Sequence, residues 1–218
     1  MHRDIEKQEA YWDRYFEEFD QIYTYKKSRV KNILDKIFRK DIFERFRFVF
    51  ENSEPIEGKL VLDVGCGSGR FAVEFARRKA KKVTGIDISG NMIKFAQKLA
   101  EETRVEDICD FHKSSILEFQ PEIKYDLSIA IGVLDYIKDP LPLLAQLGKL
   151  SQEKVILSFP RVFTWRAPIR KLRLFLQRCD VYFYSKSRIK VLLKGAGLKM
   201  DKIKKIGKLY CVVACPNN

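Results

Sequence analysis

The feature that most restricts the fold is an apolar run that breaks straight into alternating glycines. It reads Leu60-Val61-Leu62-Asp63-Val64-Gly65-Cys66-Gly67-Ser68-Gly69, and Arg70 opens an amphipathic segment behind it. A short, almost wholly apolar run predicts a strand covered on both faces. A strand that turns through glycine into a helix is the first half of a βαβ unit. Glycines let the backbone bend tightly and let a ligand approach without Cβ contact. The N–H groups at the start of the helix have no partner within it and face outward.

The rest of the chain repeats that alternation. Strands are expected at 60–64, 82–87, near 108–112, 125–131 and 154–159, with helices at 70–79, 91–102 and 140–150 between them. A helix at 185–195, closed by Gly195 and Gly197, precedes strands at 199–206 and 208–215. So short a connection at Gly207 permits only an antiparallel pair. The expected fold is α/β: a doubly wound, mostly parallel seven-stranded sheet with an antiparallel C-terminal pair and an N-terminal helical extension. Residues 4–50 lack Gly and Pro and place Tyr11, Tyr15 and Phe19 at helical spacing, with Trp12 and Phe16 beside them. Such a face either packs on the sheet or roofs a pocket. A turn is expected at Asn52-Ser53-Glu54-Pro55. The expected division is a helical cap over 1–54 and a catalytic domain over 55–218, with a basic, aromatic insertion at about 160–184.

A dinucleotide site would need GxGxxG, but here the third glycine comes one residue early and Arg70 stands in its place. The stretch from Val61 to Gly69 instead closely resembles the first motif of class I S-adenosylmethionine-dependent methyltransferases. The resemblance implies S-adenosyl-L-methionine as cofactor and S-adenosyl-L-homocysteine as product. It places Asp63, Gly65, Cys66, Gly67 and Gly69 at the cofactor. Asp87, ending the next strand, is the acid expected to accept the ribose hydroxyls, which are neutral donors; otherwise it is an acid at a helix start. Ile88 and Met92 become apolar walls for adenine and the cofactor chain. Where the family often carries an aspartate after the third strand, Ser115, with Ile116 next to it, stands here, and Ser114 is the second choice. Ile131, Gly132 and Val133 would line the methionine side. Asp135 is the candidate base and Tyr136 its positioning partner; the bland alternative is a helix start with Asp135 exposed and Tyr136 packed. The Asn/Asp-Pro-Pro-Tyr signature of amino-directed nucleic-acid methyltransferases is absent.

The net charge of +13 lies entirely from Arg161 onward, where the only acids are Asp180 and Asp201. That surplus over 161–208 fits a small or lipid-linked acidic substrate, RNA through base stacking and phosphate contacts, peripheral contact with an anionic membrane, or a solvated surface. No run is long enough to span a bilayer. The charged start Met1-His2-Arg3-Asp4 and five unpaired-looking cysteines predict a cytoplasmic protein with reduced thiols and no metal site. A non-catalytic module that keeps the cofactor fold is the remaining alternative.

Overall fold

The computed structural model describes residues 6, 8–14, 32–162 and 180–217. A short helix, α1, covers 8–14, and α2 runs Asn32–Ser53. The sheet elements follow as β1 (Leu60–Val64), α3 (Arg70–Arg77), β2 (Lys82–Asp87), α4 (Gly90–Thr103), β3 (Cys109–Lys113) and β4 (Tyr125–Ala130). Then come α5 (Leu141–Leu150), β5 (Ser151–Pro160), α6 (Lys186–Gly195), β6 (Leu198–Ile206) and β7 (Leu209–Pro216).

Seven strands form one sheet in the order β3-β2-β1-β4-β5-β7-β6. The first five are parallel, and β7 runs antiparallel to both β5 and β6. The expected fold class is therefore the observed one. The winding reverses between β1 and β4, so the crevice beyond their carboxyl ends is where such sheets take ligands.

Each face of the sheet has its own core. One joins Phe48, Val49 and Phe50 of α2 with Phe75 of α3, Ala96 of α4 and the strand residues Val61, Val83 and Ile129. The other joins Leu144 and Leu147 of α5 and Ile189 and Leu193 of α6 with Leu62, Leu157 and Val212. Val61 and Leu62 alternate between the two, as the period-two pleat of a doubly covered strand requires.

The element ends depart from expectation where side chains meet the backbone. Helix α2 continues through Ser53, two residues into the expected turn. Asn52 Nδ2 and Ser53 Oγ donate to the carbonyls of Phe48 and Val49 at 2.6 Å each, one turn back. The boundary drawn at residue 54 thus follows a helix end that is buried in the domain core. Helix α3 ends at Arg77, before the expected 79, because Lys79 adopts a left-handed φ of 65°. Strand β5 begins three residues early, at Ser151, paired with Tyr125. Residues 163–179 of the expected insertion, and 15–31 of the expected N-terminal helical region, lie outside the described residues. Among the described residues no helix is long and apolar enough to cross a membrane.

Candidate active site

The glycine turn is built by hydrogen bonds to the neighbouring strand. Gly65 and Cys66 both donate their N–H to the Ile86 carbonyl, at 2.8 and 3.0 Å. Gly67 N–H donates to Asp87 Oδ2 at 2.9 Å, and Ser89 N–H to Oδ1 at 2.9 Å. The end of β2 therefore shapes the turn after β1. Asp87 is partly buried, and each carboxylate oxygen retains a further lone pair for a second donor. Burial holds its carboxyl above the usual range. The Ser89, Gly67 and Ile88 N–H groups pull it down, and the nearby Asp13 charge pushes it up.

Gly67 has φ +53°, and a Cβ built on it meets nothing within 4 Å. The turn is open at that point, as a seat for a ligand must be. Gly65 is the opposite case, since its Cβ would lie 2.3 Å from Val133 Cγ2. That close approach brings the loops after β1 and β4 together at the reversal of winding. It places Ile131, Gly132 and Val133 beside the turn, and Ser158 of β5 fixes them by accepting the Gly132 N–H at 2.8 Å.

Asp63 is 2% exposed. It accepts the Ala72 N–H in the first turn of α3, while its Oδ2 has no partner among the described residues. Burial first, then the Asp87 charge, push its carboxyl up to about 8 against the pull of Ala72. Burial likewise holds the Cys66 thiol well above its ordinary value, which suits a packing residue rather than a nucleophile.

The third loop is tied in through Ser114, whose N–H donates to the Asp87 carbonyl at 2.9 Å. Ser115 is buried and its Oγ accepts the Leu117 N–H at 3.3 Å, with Ile116 packed below in the second core. Met92 is 3% exposed, yet it joins neither main core. Ile88 is partly buried beside Asp87. Asp135 is 4% exposed and lies in a turn, so the alternative of an exposed acid at a helix start does not hold. Its carbonyl accepts the Tyr182 N–H at 2.8 Å, while Tyr184 Oη reaches the Leu134 and Ile137 carbonyls at 3.1 and 3.2 Å. Two tyrosines at the C-terminal end of the insertion thereby hold the post-β4 loop.

Sequence reading missed Tyr184, Ser158 and Asp13. For the first two no local signal exists, because their partners are distant in the chain. Ser89 could have been found as the N-cap of α4: its Oγ accepts the Met92 N–H, three residues on.

These features fit an adenosyl cofactor with a cationic sulfonium. There is an open bend, a carboxylate with spare lone pairs one strand away, and an unpartnered buried acid oxygen beneath. The model of the methyltransferase domain family matches residues 56–172, more than half of the chain. The chain belongs to that family. By fold this methyltransferase domain is of the class I kind. A ubiquinone biosynthesis O-methyltransferase of Actinobacillus pleuropneumoniae is 29% identical over 124 residues, 54% of this chain and 52% of that protein. The same enzyme of Vibrio cholerae is 33% identical over 109 residues, 49% of this chain and 43% of that protein. The chain spans about half the length of the curated relatives it matches. Among solved structures, magnesium protoporphyrin IX methyltransferase from Synechocystis PCC 6803 with bound S-adenosylhomocysteine superposes with a TM-score of 0.81 at 22% identity. That match covers 98% of this chain and 99% of the other. The cyclase SpnF superposes at 0.72 with 14% identity over 96% of each chain. A fold shared by a methyltransferase and a cyclase leaves the reaction to be argued from the site.

Proposed function

We propose that this chain transfers a methyl group from S-adenosylmethionine to an oxygen of a small or lipid-linked acidic acceptor. The observation that carries the reading is the pairing of the open bend at Gly67 with Asp87, joined at 2.9 Å where the winding of the sheet reverses. The spare lone pairs of Asp87 take the ribose hydroxyls, Ile88 and Met92 wall the adenine, and the Ser115 hydroxyl accepts from its amine. Asp63, the glycines, Cys66 and residues 131–133 surround the methionine end.

When bound, the cofactor brings a methyl already activated by its sulfonium. The task left to the chain is alignment, exclusion of water and removal of a proton. Orientation alone can supply about 7–11 kcal/mol in favourable systems. Asp135 takes the proton from the acceptor oxygen, and Tyr136 orients the acceptor. Helix α1 acts as the lid. An oxygen acceptor is supported by relatives named as O-methyltransferases of ubiquinone biosynthesis, and an acidic one by the basic surplus beyond Arg161.

Calorimetry with S-adenosylhomocysteine tests the cofactor half. Asp87→Ala and Gly67→Val should each weaken binding by roughly tenfold to a hundredfold, and unchanged affinity in both defeats the reading. Methyl-labelled cofactor incubated with cell extract tests the acceptor half. Label is expected in the small-molecule and lipid fraction; label confined to RNA overturns it.

A further inference from the structure

Helix α1 touches the loops that leave β2 and β4 and the last residue of β3. Asp13 Oδ1 accepts the Ser89 hydroxyl and the Asn91 N–H, the latter at 3.4 Å, and the Asn91 amide donates to the Asp13 carbonyl at 3.3 Å. Ser89 stands two residues after Asp87, and its Oγ also caps α4. Glu9 Oε1 pairs with Lys113 Nζ at 2.6 Å, at the end of β3. Gln8 Nε2 donates to the Tyr136 carbonyl at 2.6 Å, and Trp12 meets the Tyr136 ring edge-on, with centroids 5.1 Å apart at 90°. Tyr11, Tyr136 and Phe183 pack with Val181 in an apolar cluster separate from both main cores.

Resting on the cofactor reading above, we propose that α1 is a latch coupling the two halves of the site. Asp13 is a positioning residue. It holds the β2–α4 turn, and through that turn Asp87, in the arrangement that accepts the ribose. Trp12, laid against Tyr136, is a specificity-determining wall of the acceptor pocket. With α1 seated, the cofactor crevice is spanned from the β3 side to the β4 side. Cofactor exchange therefore requires α1 to lift, and the acceptor pocket is complete only when α1 has closed over bound cofactor. The acceptor follows the cofactor in order of binding.

The chain has two tryptophans, so Trp165→Phe leaves Trp12 as the sole reporter. In that background, S-adenosylhomocysteine should shift Trp12 emission. Its dissociation, followed by stopped flow, should be roughly tenfold faster in Asp13→Ala and roughly threefold faster in Glu9→Gln, which breaks a half-exposed pair. Asp13→Asn should fall between parent and Asp13→Ala, because its amide oxygen still accepts the Ser89 hydroxyl. If Asp13→Ala binds too weakly to follow, recovered binding in Asp13→Asn supports the latch and no recovery overturns it. Dissociation from Asp13→Ala within twofold of the parent overturns it, as does bound ligand with no change in Trp12 emission. Failure of the parent itself to bind S-adenosylhomocysteine strikes the cofactor reading instead.

Discussion

Gly65 is tightly constrained in the turn, because its φ is +66° and a Cβ on it would run into the Val133 side chain. Gly65→Ala should cost about 2–4 kcal/mol in denaturant unfolding. Adding Val133→Ala should return the steric part and leave the backbone part. Strict additivity of the two changes would mean that the loops do not touch as described. Asp63 makes a prediction about pH. Its folded value of about 8 lies above that of an unfolded aspartate, so the folded state holds the extra proton. Its contribution to stability is fully present below the unfolded pKa and is lost as pH rises towards and through 8, by at most about 1.4 kcal/mol per pH unit. Asp63→Asn should flatten that slope, and equal pH profiles for parent and variant in thermal melts would refute the assignment. The glycines and Asp87 were legible because each acts within a few residues of its place in the chain. The burial of Asp135 was not, since it depends on Tyr182 and Tyr184, which return to the post-β4 loop from the far side of the insertion.

Among the elements, α2 is the one whose place sequence periodicity left open. Phe50 is 3% exposed and packs against Phe46, Phe71 and Phe75, with ring centroids 4.6, 6.1 and 4.7 Å away. Phe50→Ala should cost about 3–5 kcal/mol of global stability. A loss of less than 1 kcal/mol would mean that α2 is a detachable cap rather than part of the domain. Helix α6 is capped at Ser185, whose Oγ accepts the Arg188 N–H at 3.2 Å. Ser185→Ala should cost about 1 kcal/mol and Ser185→Gly only a few tenths, measured by chemical denaturation. Helix starts of this kind are written locally, and the helix expected at 185–195 begins at that cap. The extra turn of α2 is not, because Asn52 and Ser53 could as well have closed a loop. Which they do depends on the core beneath Phe48 and Val49.

At the scale of the molecule, the basic surplus is partly put to structural use. Arg161 Nη1 donates to the Gly207 carbonyl at 2.8 Å, and Lys202 Nζ to Asn52 Oδ1 at 2.9 Å above the Phe48 ring. Among the described residues strand β6 is an edge of the sheet, and Lys199, Lys204 and Lys205 are exposed along it. Charged edges block pairing with a second chain. Replacing these three lysines with Val should promote self-association, read by light scattering at rising protein concentration; a triple variant that stays monodisperse would remove that role. The sequence by itself determined the strand and helix alternation, the antiparallel ending, the glycine bend and the acid after β2. Each of these is set by side-chain periodicity or backbone freedom within a few residues. Only the tertiary structure decided that α2 joins the core, that Val133 closes on Gly65, and that α1 crosses the crevice through Glu9, Trp12 and Asp13. Those contacts join residues tens of positions apart, and their free energy exists only once the sheet has brought their partners within a few ångströms.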